Sequence, residues 1–220
     1  IDLYEQGLPA AALLHGVTGS GKTNVILAAI DRVLEDGRGV IMLVPEIALT
    51  PQTVGIFMAR YGDNIAVIHS ALSNGERYDA WRRIKLGEAR VVVGTRSAIF
   101  APLPDIGMIV IDEEQEHTYK SDSNPKYHAR DAARFRCAHS KALLLLASAT
   151  PSLESYYKAE RGMYLNEFSL YATLAAETLT TTLGRTVKIV NGRKKGRVEL
   201  EYYGVDDLNE LLDALHKLKK

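Results

Sequence analysis

The chain has 220 residues, with 27 Lys and Arg balancing 27 Asp and Glu, a 46% hydrophobic share and a single cysteine. Zero net charge excludes a globally basic nucleic-acid-coating protein and an acidic disordered tail, so contact with a polyanion must come from local patches. One cysteine excludes a disulfide framework and paired-Cys zinc sites, and the apolar runs are too short to span a bilayer, so a soluble, cytoplasmic protein without membrane contact is expected. The sequence starts without Met, and a fragment or processed product is expected.

In chain order, continuous apolar runs at residues 11–15, 40–44, 65–68, 91–93, 108–111 and 143–146 read as strands buried on both faces. Between them, residues 22–35, 51–60, 75–86, 127–138 and 152–160 carry helical periodicity. Strand and helix alternating in this way predict an α/β fold, a doubly wound parallel sheet with helices on both faces. The style changes near residue 167. Residues 170–183 predict a helix ending at Gly184, residues 186–190 and 197–203 two strands around an Asn191-Gly192 turn, and Asp206 and Asp207 cap a last helix bearing Leu208, Leu211, Leu212, Leu215 and Leu218. This division gives domains 1–166 and 167–220. The second, a small α+β helix-hairpin-helix unit, is too small to bury its own apolar faces and is expected to pair with a copy of itself.

Gly16-Val17-Thr18-Gly19-Ser20-Gly21-Lys22-Thr23 fits the pattern G-x-x-x-x-G-K-[ST] between a strand and a helix. In that setting backbone N–H groups and a helix N-terminus cradle phosphates, a Lys reaches the β- and γ-phosphates, and a Thr hydroxyl binds Mg²⁺. Ile109-Val110-Ile111-Asp112-Glu113-Glu114 is an apolar strand ending in acids, where Asp112 can hold the metal ion and Glu113 can polarise a water. Alone, such acids as often merely cap a strand. Three more segments, 45–52, 94–97 and 148–151, place hydroxyls, an Arg and backbone N–H groups at strand ends, where open α/β sheets bind ligands. Tyr78, Trp81 and Ile84 share helical spacing and read as core. The histidines show no metal-ligand spacing.

GVTGSGKT, VPEIALTPQ, IHSALSNGER, GTRSAIFAP, IDEEQEHTYK, NPKYHARD and SATPSLESYY follow one another in this order. Residues 10–165 thereby resemble the first RecA-like, ATP-binding lobe of superfamily 2 helicases, and within them the primosomal replication-restart (PriA) family. The resemblance implies ATP and Mg²⁺ as ligands, with Gly16, Thr18, Gly19, Ser20, Gly21, Lys22, Thr23 and Asp112 binding nucleotide, Thr23 and Asp112 meeting the metal, and Lys22, Asp112 and Glu113 catalytic. It implies that Gln115 (where the family usually has His), Ser148, Ala149 and Thr150 couple hydrolysis to DNA. It further implies single-stranded or forked DNA at Thr95, Arg96 and Ser97, and at an aromatic-rich loop with Tyr119, Lys120, Tyr127, His128 and Arg130. For Tyr127 and His128, plain packing at a helix N-terminus is the alternative. The family also implies primosome proteins as partners and a second lobe carrying an arginine finger. Without that lobe, weak nucleotide binding and slow turnover are expected.

Residues 168–218 resemble the C-terminal dimerisation domain of the ParB family of chromosome-partition proteins. This implies a homodimer whose basic residues, among them Arg185, Lys188, Arg193, Lys194, Lys195 and Arg197, form a DNA-facing patch. A solvated hairpin with basic ends is the bland alternative. Joined in one chain, the two patterns read as an engineered fusion or a rearranged gene. The competing functional reading is thus a non-catalytic, dimerising DNA-binding module. A small-molecule kinase shares the phosphate loop but leaves the 94–97 and 148–151 segments unexplained.

Overall fold

Strands covered on both faces need two apolar layers, and the side-chain alternation supplies them. In the computed structural model, which describes residues 2–5, 10–161, 179–180, 183–190, 197–204 and 207–212, six strands form one wholly parallel sheet. They are β1 (Ala10–His15), β2 (Gly39–Leu43), β3 (Ile65–Ile68), β4 (Val91–Gly94), β5 (Ile106–Asp112) and β6 (Leu143–Ser148), in the order β1-β6-β5-β2-β4-β3. Val40, Met42, Met108, Val110, Leu143 and Leu145 point to one face, where α2 (Lys22–Glu35) and α3 (Pro51–Tyr61) cover them. Ile41, Leu43, Ile109, Ile111, Leu144 and Leu146 point to the other, beneath α4 (Asn74–Lys85) and α5 (Ala129–Ser140). The short α1 (Asp2–Glu5) and α6 (Leu153–Glu160) complete the helices of this unit.

Local chemistry fixes most helix ends. Thr50 accepts the Thr53 amide before Pro51, Ser73 and Glu76 form a reciprocal capping box, and Ser152 accepts the Ser155 amide. The end of α5 departs from the expected 127–138. His128 is its N-cap, its Nδ1 accepting the Arg130 amide, and Lys141 takes the left-handed conformation (φ 49°) at the other end. Ala142 N–H then bonds Cys137 O at 2.8 Å, the closure usually entrusted to glycine.

The outer surface of α4 corrects another expectation. Tyr78 is 70% exposed and Trp81 40%, so neither is core; on this helix only Ile84 is fully buried. A single buried position anchors α4 because it covers the sheet beside the edge strand β3.

The chain divides into two compact units, Ile1–Leu165 and Asn166–Lys220. In the second, β7 (Val187–Val190) and β8 (Arg197–Leu200) pair antiparallel, and residues 207–212 are helical. β8 stops short of the expected Tyr203, whose N–H donates to the Asp207 carboxylate at 2.6 Å, followed by Gly204 at φ 94°. Asp207 also pairs with Arg185 at 2.9 Å, and Arg197 with Glu199 at 2.7 Å, so two members of the expected basic patch have anionic neighbours. Arg193, Lys194 and Lys195 lie outside the described residues, as do Leu215, Leu218 and most of the expected 170–183 helix. Among the described residues no helix is long and apolar enough to cross a membrane.

Candidate nucleotide site and the adjoining cleft

All six strands being parallel, their carboxyl ends share one edge, and every segment singled out in the sequence emerges there. After β1, the Gly16 N–H donates to Ser148 O at 3.2 Å, which fastens the start of the loop to the end of β6. Gly19 (φ 80°) and Gly21 (φ 86°) take left-handed conformations that a side chain would oppose, and Gly21 is the N-cap of α2. No side chain caps that helix, so its first N–H groups face the loop with the positive end of the helix dipole. The Lys22 ammonium donates to Gly16 O at 2.6 Å and Val17 O at 3.2 Å. Thr18, Gly19, Ser20 and Thr23 are exposed around it. A cation satisfied only by carbonyls, next to an uncapped helix N-terminus, suits a polyphosphate.

Asp112 ends β5 between partial burial and Glu113. Burial, with help from the Glu113 carboxylate, raises its pKa above the ordinary aspartate range; the Glu113 N–H (3.0 Å to Asp112 Oδ1) and Lys22 oppose the rise. Glu113 sits at φ 45°, a conformation costly for a non-glycine residue and concentrated at functional sites. Its carboxylate accepts from Gln115 Nε2 at 2.9 Å. Gln115 Oε1 in turn accepts from Ser148 Oγ at 2.5 Å, and that hydroxyl accepts the Thr150 N–H at 2.9 Å. A continuous hydrogen-bond chain therefore joins the acid end of β5 to the end of β6, the strand that also holds Gly16. Ala149, half-buried, lies between its last two members.

Beside this lies a cleft of about 410 Å³ lined by Glu46, Ser70, Thr95, Arg96, Ser97 and Tyr127 among others, including Lys120. It sits at the ends of β2, β3 and β4, as the Gly16–Thr23 loop sits at β1 and β6. Thr95 is buried and its N–H donates to Ile68 O at 3.1 Å, whereas Ser97 is exposed. Arg96 donates to Thr118 O at 3.2 Å and to Lys120 O, and lies 5.8 Å from the centre of the Tyr127 ring. Phe100, which the sequence did not mark, meets Tyr127 edge-on at 4.9 Å. Lys120 is exposed; Tyr127 and His128 are half-buried. The His128 pKa is lowered by burial and then by Arg130, in keeping with the capping contact of its ring nitrogen.

Two expected DNA contacts are corrected. Tyr119 is only 1% exposed; its hydroxyl donates to Asp112 O at 2.7 Å, and burial pushes its pKa up, so its ring supports β5 rather than a base. Arg130 is bound internally to Glu114 at 3.2 Å and Glu154 at 2.9 Å. Glu114 is itself a site residue that the sequence reading passed over. Three adjacent acids at a strand end were the available signal, but the partner Arg130 lies 16 positions away.

A DEAD/DEAH box helicase family model matches residues 3–159. The chain belongs to the DEAD/DEAH box helicase family. Over 152 residues this helicase lobe is 55% identical to the replication restart protein PriA of Bacillus subtilis, covering 69% of this chain and 19% of the relative. It is 51% identical to PriA of Treponema pallidum, covering 68% and 23%, and 42% identical to PriA of Chlamydia trachomatis, covering 83% and 25%. The chain thus spans about a fifth to a quarter of the length of these curated relatives. The structure of RecG bound to a three-way DNA junction matches with TM-score 0.51 and 23% identity over 74% of this chain and 22% of that one. Domain 2 of the DEAD-box helicase Mss116p also gives 0.51, at 12% identity over 71% and 60%. The sheet unit is thus a RecA-like helicase lobe, similar in sequence to the corresponding part of PriA.

Proposed function

We propose that residues 1–166 are the ATP-binding first lobe of a replication-restart DNA helicase, in which hydrolysis is coupled to single-stranded or forked DNA. The observation that carries this reading is the hydrogen-bond chain Glu113–Gln115–Ser148–Thr150 beside the Gly16–Thr23 loop. Mg-ATP would supply the phosphoanhydride whose cleavage drives the motion, with the metal ion neutralising developing charge. Lys22 would exchange its loop carbonyls for phosphate oxygens, the amides of Gly19, Ser20 and Gly21 would line the same pocket, and Thr23 and Asp112 would hold the metal ion. Glu113 orients the attacking water and takes up its proton. Gln115 is the hydrogen-bonded link between Glu113 and the Ser148-Ala149-Thr150 segment, a function for which an amide with both a donor and an acceptor suffices.

In the cleft, Ser97, Arg96 and Lys120 meet backbone phosphates while the Tyr127 face, backed by Phe100, receives a base; none of these contacts distinguishes sequence. Primosome proteins and a second lobe with an arginine finger belong to the same proposal, carried over from the family resemblance of the sequence motifs. Lys22→Ala tests it: affinity for a fluorescent ATP analogue with Mg²⁺ should fall by about two orders of magnitude or more. Parental affinity in that variant would overturn the assignment.

A second proposal concerns residues 167–220, read as a dimerising unit. Its supporting observation is exposed apolar surface on and after the β7–β8 pair: Val198 is 54%, Tyr203 84% and Leu212 46% exposed. A two-stranded sheet is marginal by itself, and a second copy would cover this surface. The ParB-type identity and the DNA role of Arg193, Lys194 and Lys195 rest on the sequence pattern. Sedimentation of the chain against a version ending at Leu165 tests the pairing, which predicts a dimer only for the longer form.

A further inference from the structure

Glu114 has no part in the roles assigned so far, yet it is the most completely engaged carboxylate in the lobe. Its side chain is 0% exposed. Oε1 accepts the Ser152 N–H at 2.7 Å; Oε2 accepts from Ser155 Oγ at 3.0 Å, Arg130 Nη1 at 3.2 Å and Ser152 Oγ at 3.4 Å. Its own N–H donates to Ala147 O at 3.1 Å. One residue therefore grips the chain on both sides of Ser148-Ala149-Thr150-Pro151, before it through the backbone and after it through the carboxylate. Gln115, its neighbour, holds the middle through Ser148.

Arg130 brings a second segment to the same point. It also donates to Ser152 Oγ at 3.3 Å, Ser155 Oγ at 3.2 Å and Glu154 at 2.9 Å, and its amide is bonded by His128. His128 bridges to Lys120 across the neck of the loop that closes the cleft, where Ser121 N–H also meets Tyr127 O at 2.8 Å. An apolar residue could fill the space of Glu114 and keep its backbone bond but could form none of the carboxylate's bonds, and an unpaired Arg130 beside it would be costly.

We propose that Glu114 is a positioning residue that sets residues 148–152 against the Gly16 end of the phosphate loop, and that Arg130 makes this setting responsive to the loop carrying Lys120 and Tyr127. The use of that setting in nucleotide chemistry rests on the function proposed above; the setting itself does not. Amide hydrogen exchange on the full 220-residue chain without nucleotide tests it. Glu114→Gln keeps an acceptor for Ser152 but loses the charge for Arg130, and should speed exchange at Thr150 and Ser152 by about tenfold, with α2 unchanged. Arg130→Lys, which keeps the charge and loses the planar fork, should give an intermediate increase at the same amides. With Mg²⁺ and the fluorescent ATP analogue present, both variants should lose most of the affinity change that oligothymidylate produces in the parent. Parental exchange at Ser152 in Glu114→Gln would overturn the proposal, as would equal acceleration throughout β5 and α2, or an undiminished response to oligothymidylate. Lys22→Ala, which probes the nucleotide reading alone, should leave exchange at Thr150 and Ser152 at parental rates.

Discussion

At the scale of single residues, Asp112 shows what a partly buried carboxylate costs a fold. Burial raises its pKa, so in the folded chain it holds its proton to higher pH than in the unfolded chain. Stability therefore falls as pH climbs from the ordinary aspartate value of about 3.9 through the raised one, and remains lowered above it. Asp112→Asn keeps the oxygen that accepts the Glu113 amide and removes the charge. Its melting temperature should exceed the parent's at pH 7, and the two should converge near pH 3, as read by thermal denaturation across that range. The same substitution should abolish the Mg²⁺ dependence of nucleotide binding. Glu113, at φ 45°, is the companion case: its backbone strain is offset by contacts from Asp112 and Gln115.

At the scale of elements, close approach and unusual caps decide what pattern reading leaves open. β4 runs so near β3 at its carboxyl end that a methyl on Gly94 would lie 2.1 Å from Ile68 O and 2.7 Å from the Ala98 Cβ. Gly94→Ala should cost about 3 kcal/mol in chemical denaturation and displace the Thr95–Ser97 turn that follows; a loss under about 1 kcal/mol would show that the strand ends can separate freely. The 22–35, 51–60 and 75–86 helices were legible from their periodicity, and the Thr50 cap and the Ser73–Glu76 capping box fix where two of them start. α5 was displaced by about two residues from its expected span because a His and a Lys do what Asn and Gly usually do. Tyr78 and Trp81 were misjudged for a related reason: periodicity says that residues share a face, not that the face meets the sheet.

At the scale of the whole chain, the described residues that form the two apolar layers around the six-stranded sheet run from Tyr4 to Ala159. A chain ending at Leu165 should therefore keep the parent's near-ultraviolet dichroism and melt within about 4 °C of its sheet transition. A broad, non-cooperative melt would mean that the second unit is needed for the first to fold. The sequence by itself determined the parallel α/β lobe, since uninterrupted Val, Ile and Leu runs cannot tolerate a wet face. It also marked the Gly16–Thr23 loop, because its strand, three glycines, Lys22 and Thr23 are contiguous. Tertiary structure alone decided the rest. Arg130 and Tyr119 looked like ligand-facing residues in an aromatic, basic stretch, yet the packing turned one onto Glu114 and the other beneath Asp112. Such assignments depend on partners distant in sequence, whose burial and hydrogen bonding arise only when separate strand ends meet at one edge of the sheet.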